Sequence, residues 1–250
     1  MEFILEILGL TKSVQLLSFN PPGWGGNLLR GLVNSMQIAA GAFGFGLVIG
    51  FFGAYGKLYG GAVVRDLLAI YTTVIRAVPE LVLILLLYYV GTDLINQASQ
   101  ALGFGRIEIS GVVAGIWVLG IVQGAYSTEV LRGAIQAIPT GQIEAARAFG
   151  MSPLMMMRRV TIPAMMAFAT PGLANLWLIA TKDTALLAIV GFSELTLETR
   201  QAAASTRSYF TFFLAAGGLY LIVTLFSGVV FGKIEKWARR GQPSLKGTGG

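Results

Sequence analysis

Cysteine and histidine are both missing from the 250 residues. Their absence removes thiolate and imidazole chemistry, structural zinc sites, disulfides and any histidine-based proton relay. Charge is scarce too: Asp, Glu, Lys and Arg make up 12% of the chain, against roughly 25% in an average soluble domain. Apolar residues fill 55%, a composition suited to a bilayer. A phosphate-binding loop is also lacking, because Gly56-Lys57 and Gly232-Lys233 have no upstream glycine at the required spacing. They are followed by Leu58 and Ile234 where Ser or Thr is needed. If ATP drives this protein, another chain binds it. With no Gly-x-Ser-x-Gly elbow and no carboxylate cluster at metal spacing, an enzyme active site is not expected. The net charge of +6 does not point to nucleic acid. The basic residues scatter around hydrophobic runs and form no stripe with aromatic platforms.

Hydrophobic runs of about 20 residues, the length that crosses a bilayer, occur at 32–55, 67–90, 111–128, 160–180 and 209–232. Five spans put the termini on opposite sides. With the C-terminus in the cytoplasm, the inner segments hold Lys57, Arg65, Arg132, Arg147, Arg158, Arg159, Lys233, Lys236, Arg239, Arg240 and Lys246. The outer ones hold Lys12, Arg30, Arg106, Arg200 and Arg207, plus Lys182 if it lies outside the bilayer. This excess of inner positive charge predicts a periplasmic N-terminus and a cytoplasmic C-terminus. Residues 1–24 carry Phe3, Ile4, Leu5, Ile7 and Leu8 before Pro21-Pro22-Gly23, too short a run to span and suited to an interfacial helix. The acidic start and the absence of a small-residue cleavage site predict no cleaved signal peptide. Residues 25–240 form the expected membrane domain, and 241–250 a flexible cytoplasmic tail. In the first span Gly46 and Gly50 create a small-xxx-small packing face. Pro171-Gly172 predicts a kink in the fourth span unless neighbours straighten it.

Several charges fall where a membrane tolerates them poorly. Arg76 and Glu80 sit near the middle of 67–90, and a charge at a helix centre costs about 2.5–3.5 kcal/mol on insertion scales. A spacing of four puts both on one helical face, as an internal ion pair or as contacts for a charged solute. Glu129 is expected to pair with Arg132 at the inner end of the third span, with Gln123 deeper on the same helix. Lys182 and Asp183, adjacent in sequence, point apart and need separate partners. Asp183 either caps a helix or faces a cavity that would attract a cation.

Between the third and fourth spans lies a polar stretch, 139–159. Gln142 to Phe149 is built of helix formers with clustered small Ala145, Ala146 and Ala148, which let another surface approach closely. Thr140 is placed to cap this helix and Glu144 to sit in its first turn. Gly150 offers a left-handed turn, and Ser152-Pro153 reads as the cap and first position of a second short helix. The run Glu144-Ala145-Ala146, three residues, Gly150, nine residues, then Val160, Ile162 and Pro163 fills every slot of a known pattern. It resembles the EAA loop of ABC importer permeases.

The resemblance extends over about residues 25–240, through Tyr71 to Glu80, Gly124 to Gly133 and Lys182 to Leu186. It is similar to the polar amino acid subgroup, within which Glu80 after Pro79 matches the basic amino acid and opine branch. The resemblance implies an all-α, five-helix type I importer permease in a bacterial inner membrane, with Glu144, Ala145, Ala146, Gly150, Ile162 and Pro163 coupling it to an ATPase. It implies a second permease chain, two ATPase copies carrying ATP and magnesium, and a periplasmic binding protein. No cofactor is expected in this chain. Arg76, Glu80, Gln123, Glu129, Lys182 and Asp183 are candidates for the solute pathway. The rival expectation is a secondary transporter or channel, since intramembrane charges also mark ion pathways.

Overall fold

The structure, a computed structural model, describes residues 10–240. Most of the apolar stretch before residue 10 and the tail 241–250 lie outside the described residues. The described chain is helical throughout: α1 (Leu10–Leu16), α2 (Gly25–Tyr59), α3 (Ala62–Ala77), α4 (Glu80–Ala101), α5 (Gly111–Gln136), α6 (Thr140–Ala148), α7 (Pro153–Met156), α8 (Ile162–Asp183), α9 (Leu195–Thr206) and α10 (Tyr209–Ala238). A π turn, Met157–Thr161, joins α7 to α8, and a 3-10 helix, Thr184–Val190, continues α8. Among the described residues, five helical segments are long and apolar enough to cross a membrane: Gly25–Tyr59, Glu80–Ala101, Gly111–Gln136, Pro153–Val190 and Tyr209–Ala238.

Among the described residues, helices α2 and α5 form the most extensive contact. Glycines on both sides make it possible. A Cβ on Gly46 would lie 2.7 Å from Gln123 Cβ, and one on Gly50 only 2.4 Å from Ser127 Cβ. The closeness extends to Gly53 beside Thr128 and, in the reverse direction, Gly120 beside Phe45. Small residues serve here because lipid is as apolar as Leu, so helices in a bilayer gain from close van der Waals packing.

The expected second span is two helices. Val78 precedes proline, and the Pro79 ring disfavours helical backbone there; Val78 is extended at φ −91, ψ 139, and α4 starts afresh at Glu80. Arg76 thus belongs to the last turn of α3 and Glu80 to the first turn of α4. They do not share a helical face. Each sits at the helix end whose dipole favours its charge, and no ion pair joins them among the described residues. The charges expected at a helix centre are instead at a helix break. α3 packs Ile75 with Leu83, Val122 and Ala125.

α8 runs unbroken through Pro171. Its irregularities lie at its two ends. Pro163 has no N–H to offer the carbonyl four residues earlier, and the preceding turn widens to π geometry. The second short helix expected after Gly150 is therefore the first turn of a continuous segment, Pro153–Val190.

The two ends of the bundle differ. At one end the C-terminal parts of α2 and α5 meet α6, where Leu58, Ile135 and Ile143 line a common cleft. At the other, α1, α9 and the starts of α2 and α10 enclose a small core of Leu28, Leu195, Ala202 and Phe212.

Candidate functional site

The polar loop is built to project. Its first helix starts after Pro139, and Thr140 makes no capping bond; proline supplies the start because it needs no N–H. The helix begins two residues earlier than expected, so Glu144 lies in its second turn and not its first. Ile143 packs on the core and Ala146 is buried, while Glu144, Ala145, Ala148 and Phe149 face outward. Gly150 adopts φ +71. Around it, Met151 N–H donates to Ala146 O at 3.1 Å and Gly150 N–H to Arg147 O at 2.9 Å, the paired bonds of a Schellman turn. Ser152 Oγ then accepts from Met155 N–H at 3.4 Å, with Pro153 opening α7 as expected. Ile162 and Pro163 stand at the start of α8.

Phe149 is 84% exposed at the tip of this turn. Sequence reasoning passed over it. A lone aromatic at the C-terminal end of a short helix of small and polar residues was the available signal.

Behind the loop a charged network ties three helices together. Lys57 Nζ of α2 donates to Glu129 Oε1 of α5 at 2.6 Å and to Thr72 Oγ1 of α3 at 2.9 Å. Arg132 holds the other carboxylate oxygen through Nε at 3.0 Å and Nη2 at 2.8 Å, and reaches Gln136 Oε1 at 2.9 Å. The Glu129–Arg132 pair is as expected. Lys57, 72 residues away in sequence from Glu129, was not. With Lys57 and Glu129 side chains 14% and 17% exposed, removing either would leave a largely buried charge without its partner.

Of the pathway candidates, Glu80 and Asp183 come together near the α3–α4 break, while Arg76 and Lys182 are exposed beside them. Glu80 lies within electrostatic range of the Asp183 carboxyl and the Tyr126 hydroxyl, and Arg76 within range of Tyr126. Asp183 is buried and Lys182 exposed, so the two do point apart. Tyr126 was not among the candidates, because a tyrosine within an apolar run looks like core. Gln123 lies elsewhere: it is 1% exposed in the glycine seam, and neither of its amide atoms has a partner. Glu129 likewise belongs to the charged network near the loop.

At the opposite end Glu194 caps α9. Its Oε1 accepts from Leu197 N–H at 2.8 Å and its Oε2 from Ser35 Oγ at 3.3 Å and the Tyr220 hydroxyl at 3.4 Å. Asn34 Nδ2 donates to Ser193 O at 2.8 Å alongside. Burial pushes the Glu194 carboxyl above its ordinary range, partly offset by bonds from Thr196, Leu197 and Ser35. A raised folded-state value means the folded protein binds the proton more tightly than the unfolded chain. That stability is full below the usual carboxylate range and is lost as pH rises through the raised value. Glu194→Gln keeps a capping oxygen without the buried charge, so its melting temperature relative to wild type is expected to climb as pH increases from 4 to 8. Thermal unfolding in detergent at several pH values checks this; a constant difference would remove the electrostatic account.

Five apolar spanning segments, a projecting loop at one end and a charged cluster at a helix break define a polytopic membrane transport protein. The chain belongs to the binding-protein-dependent transport system inner membrane component family, whose profile matches residues 46–240. It is 38% identical over 228 residues to the octopine transport system permease protein OccQ of Agrobacterium tumefaciens strain Ach5, covering 91% of this chain and 96% of that one. It is 41% identical to the nopaline transport system permease protein NocQ of Agrobacterium fabrum, covering 90% and 97%. To the histidine/lysine/arginine/ornithine transport system permease protein HisQ of Escherichia coli the identity is 39%, covering 86% and 94%. A solved structure described as an amino acid ABC transporter with histidines superposes with a TM-score of 0.72 at 28% identity, covering 86% of this chain and 95% of that one. The chain is the permease subunit of an ABC importer, and ATP hydrolysis takes place on a separate subunit. Such a permease works with an ATPase and a substrate-binding protein.

Proposed function

We propose that this permease carries a cationic amino acid or an opine inward by alternating access, with Glu80 and Asp183 facing the solute's positive charge. The observation that carries this is the break that starts α4 at Glu80, within electrostatic range of the buried Asp183 and of Tyr126. Irregular backbone at membrane depth is tolerated where protein or a water-filled cavity surrounds it, and intramembrane charges mark pathways. The names of the relatives agree, since the HisQ system is named for basic amino acids and the OccQ and NocQ systems for opines.

In this reading α6 and its Schellman turn dock on the ATPase, with Glu144, Ala145, Ala146 and Gly150 shaping the contact and Phe149 entering it. Ile162 and Pro163 pass the motion to α8. The loop and the C-terminus lie in the cytoplasm and the N-terminus in the periplasm, in accord with the inner excess of Lys and Arg. A second, homologous permease chain, two ATPase copies with ATP and magnesium, and one periplasmic binding protein complete the complex.

Reconstitution of the permeases with the ATPase and the binding protein in liposomes tests the reading. ATP-dependent uptake of arginine, lysine, histidine, ornithine or an opine is expected, with no uptake when the ATPase is omitted. Uptake driven by an ion gradient without the ATPase would transfer the chain to the secondary transporters.

A further inference from the structure

The stretch linking Asp183 to α9 has geometry that packing alone does not require. Thr184–Val190 is a 3-10 helix of seven residues, whereas such runs rarely exceed three or four and their hydrogen bonds are poorer than those of an α-helix. It ends at Gly191, which adopts φ +84, a left-handed conformation available at little cost only to glycine. The next residue, Phe192, is 8% exposed and meets Tyr88 of α4 edge to face at 5.2 Å between ring centroids.

The position of this ring pair is informative. Tyr88 lies eight residues beyond Glu80 on α4, about 12 Å along the helix axis. Two clefts share Tyr88 as a wall. One, of about 360 Å³, includes Asn34, Gly111 and Ser193; the other, of about 470 Å³, includes Asp93 and Arg106. Beneath the rings Ile38, Ile84 and Leu187 are essentially fully buried and form, with Val118 and Leu119, an apolar plug. The charged cluster at Glu80 and Asp183 begins where the plug ends. Tyr88 thus lines both clefts and Phe192 the first of them, and the rings with the plug beneath separate these clefts from the cluster.

The geometry points to Tyr88 and Phe192 as the outer gate of the solute pathway, opened when the Thr184–Val190 segment converts from 3-10 to α-helix. This rests on the reading that the Glu80–Asp183 cluster lies on that pathway. Seven residues span about 14 Å as a 3-10 helix and about 10.5 Å as an α-helix. The conversion draws Phe192 about 3.5 Å toward Asp183, enough to part an edge-to-face contact. Leu187 turns with the segment and leaves the plug, while Gly191 absorbs the change in direction.

The absence of native cysteine makes a clean test possible. Thr184, fully buried at the inner end of the segment, is replaced as Thr184→Cys in the full complex, in right-side-out membrane vesicles, and a membrane-impermeant maleimide is added outside. Without nucleotide, labelling is expected to be slow; vanadate trapping, or Phe192→Ala without nucleotide, is expected to speed it at least about tenfold. Phe192→Leu, which keeps an apolar side chain in the plug, is expected to remain protected. Tyr88→Ala provides the same opening from the other ring should Phe192→Ala fail to assemble. A labelling rate unmoved both by vanadate and by opening either ring overturns the proposal, as does fast labelling of the otherwise unaltered chain in every state. The readout needs no solute, so its failure leaves the charge preference at Glu80 standing, and loss of that preference leaves the gate standing.

Discussion

Gly150→Val is expected to leave the chain folded in the membrane while cutting ATP-driven uptake by roughly one to two factors of ten. Gly150 occupies φ +71 with open space where a Cβ would go, so the substitution acts through the backbone and not through a clash. A β-branched residue held in a sparsely populated conformation costs about 1–3 kcal/mol, and about 1.4 kcal/mol is a factor of ten in an equilibrium. The chain escapes this cost by unwinding the turn. That breaks the bonds from Gly150 to Arg147 and from Met151 to Ala146 and displaces Phe149 from its proposed seat on the ATPase. The long helices are untouched, so the loss should appear as ATP hydrolysis no longer matched by transport, or as ATPase lost on purification. Glu144→Lys, reversing a charge on the outward face, is expected to act in the same direction. Wild-type uptake together with normal retention of the ATPase in the Gly150 variant would mean that the turn does not couple.

Glu80→Leu is expected to weaken uptake of a cationic solute by about ten- to a hundredfold while changing that of a neutral amino acid much less. A hydrogen bond to a charged group is worth about 1.5–3 kcal/mol, and at the α3–α4 break Glu80 can offer a carboxylate to a passing ammonium or guanidinium. Asp183→Asn, which keeps shape and removes the acid, is expected to reproduce the selective loss with a smaller effect on expression. Competition uptake with arginine against a neutral amino acid in the same vesicles measures both. Equal loss for the two solutes would make Glu80 a structural residue that braces Tyr126 and Asp183.

The loop was legible because its chemistry is local. Gly150, Ser152 and Pro153 each act on the residues beside them, and the structure returns the turn and the second cap where the residues place them. Its first cap was misjudged between two adjacent residues, Pro139 and Thr140, each a good helix opener. Span 67–90 was misread for a related reason: hydropathy averages over a window and is blind to one extended residue, yet Val78 before Pro79 is enough to end a helix. The fourfold spacing of Arg76 and Glu80 then lost its meaning. Contacts between distant segments left no periodic trace at all. Nothing in the order of residues pairs Lys57 with Glu129, or sets Tyr126 beside Glu80. The glycine face on α2 was legible, but its exact counterpart, Gln123 and Ser127 with unpartnered polar atoms, emerges only once the two helices are docked.

The absence of any break between Pro153 and Val190 has a mechanical result. α8, with 22 residues, is about 33 Å long, and its near end is fastened to the projecting turn while its far end carries Asp183. A stiff rod tilted by about 10° about one extremity sweeps its other extremity through about 6 Å. Under the proposed coupling, a modest displacement of the projecting turn would reach Asp183 magnified along this one helix.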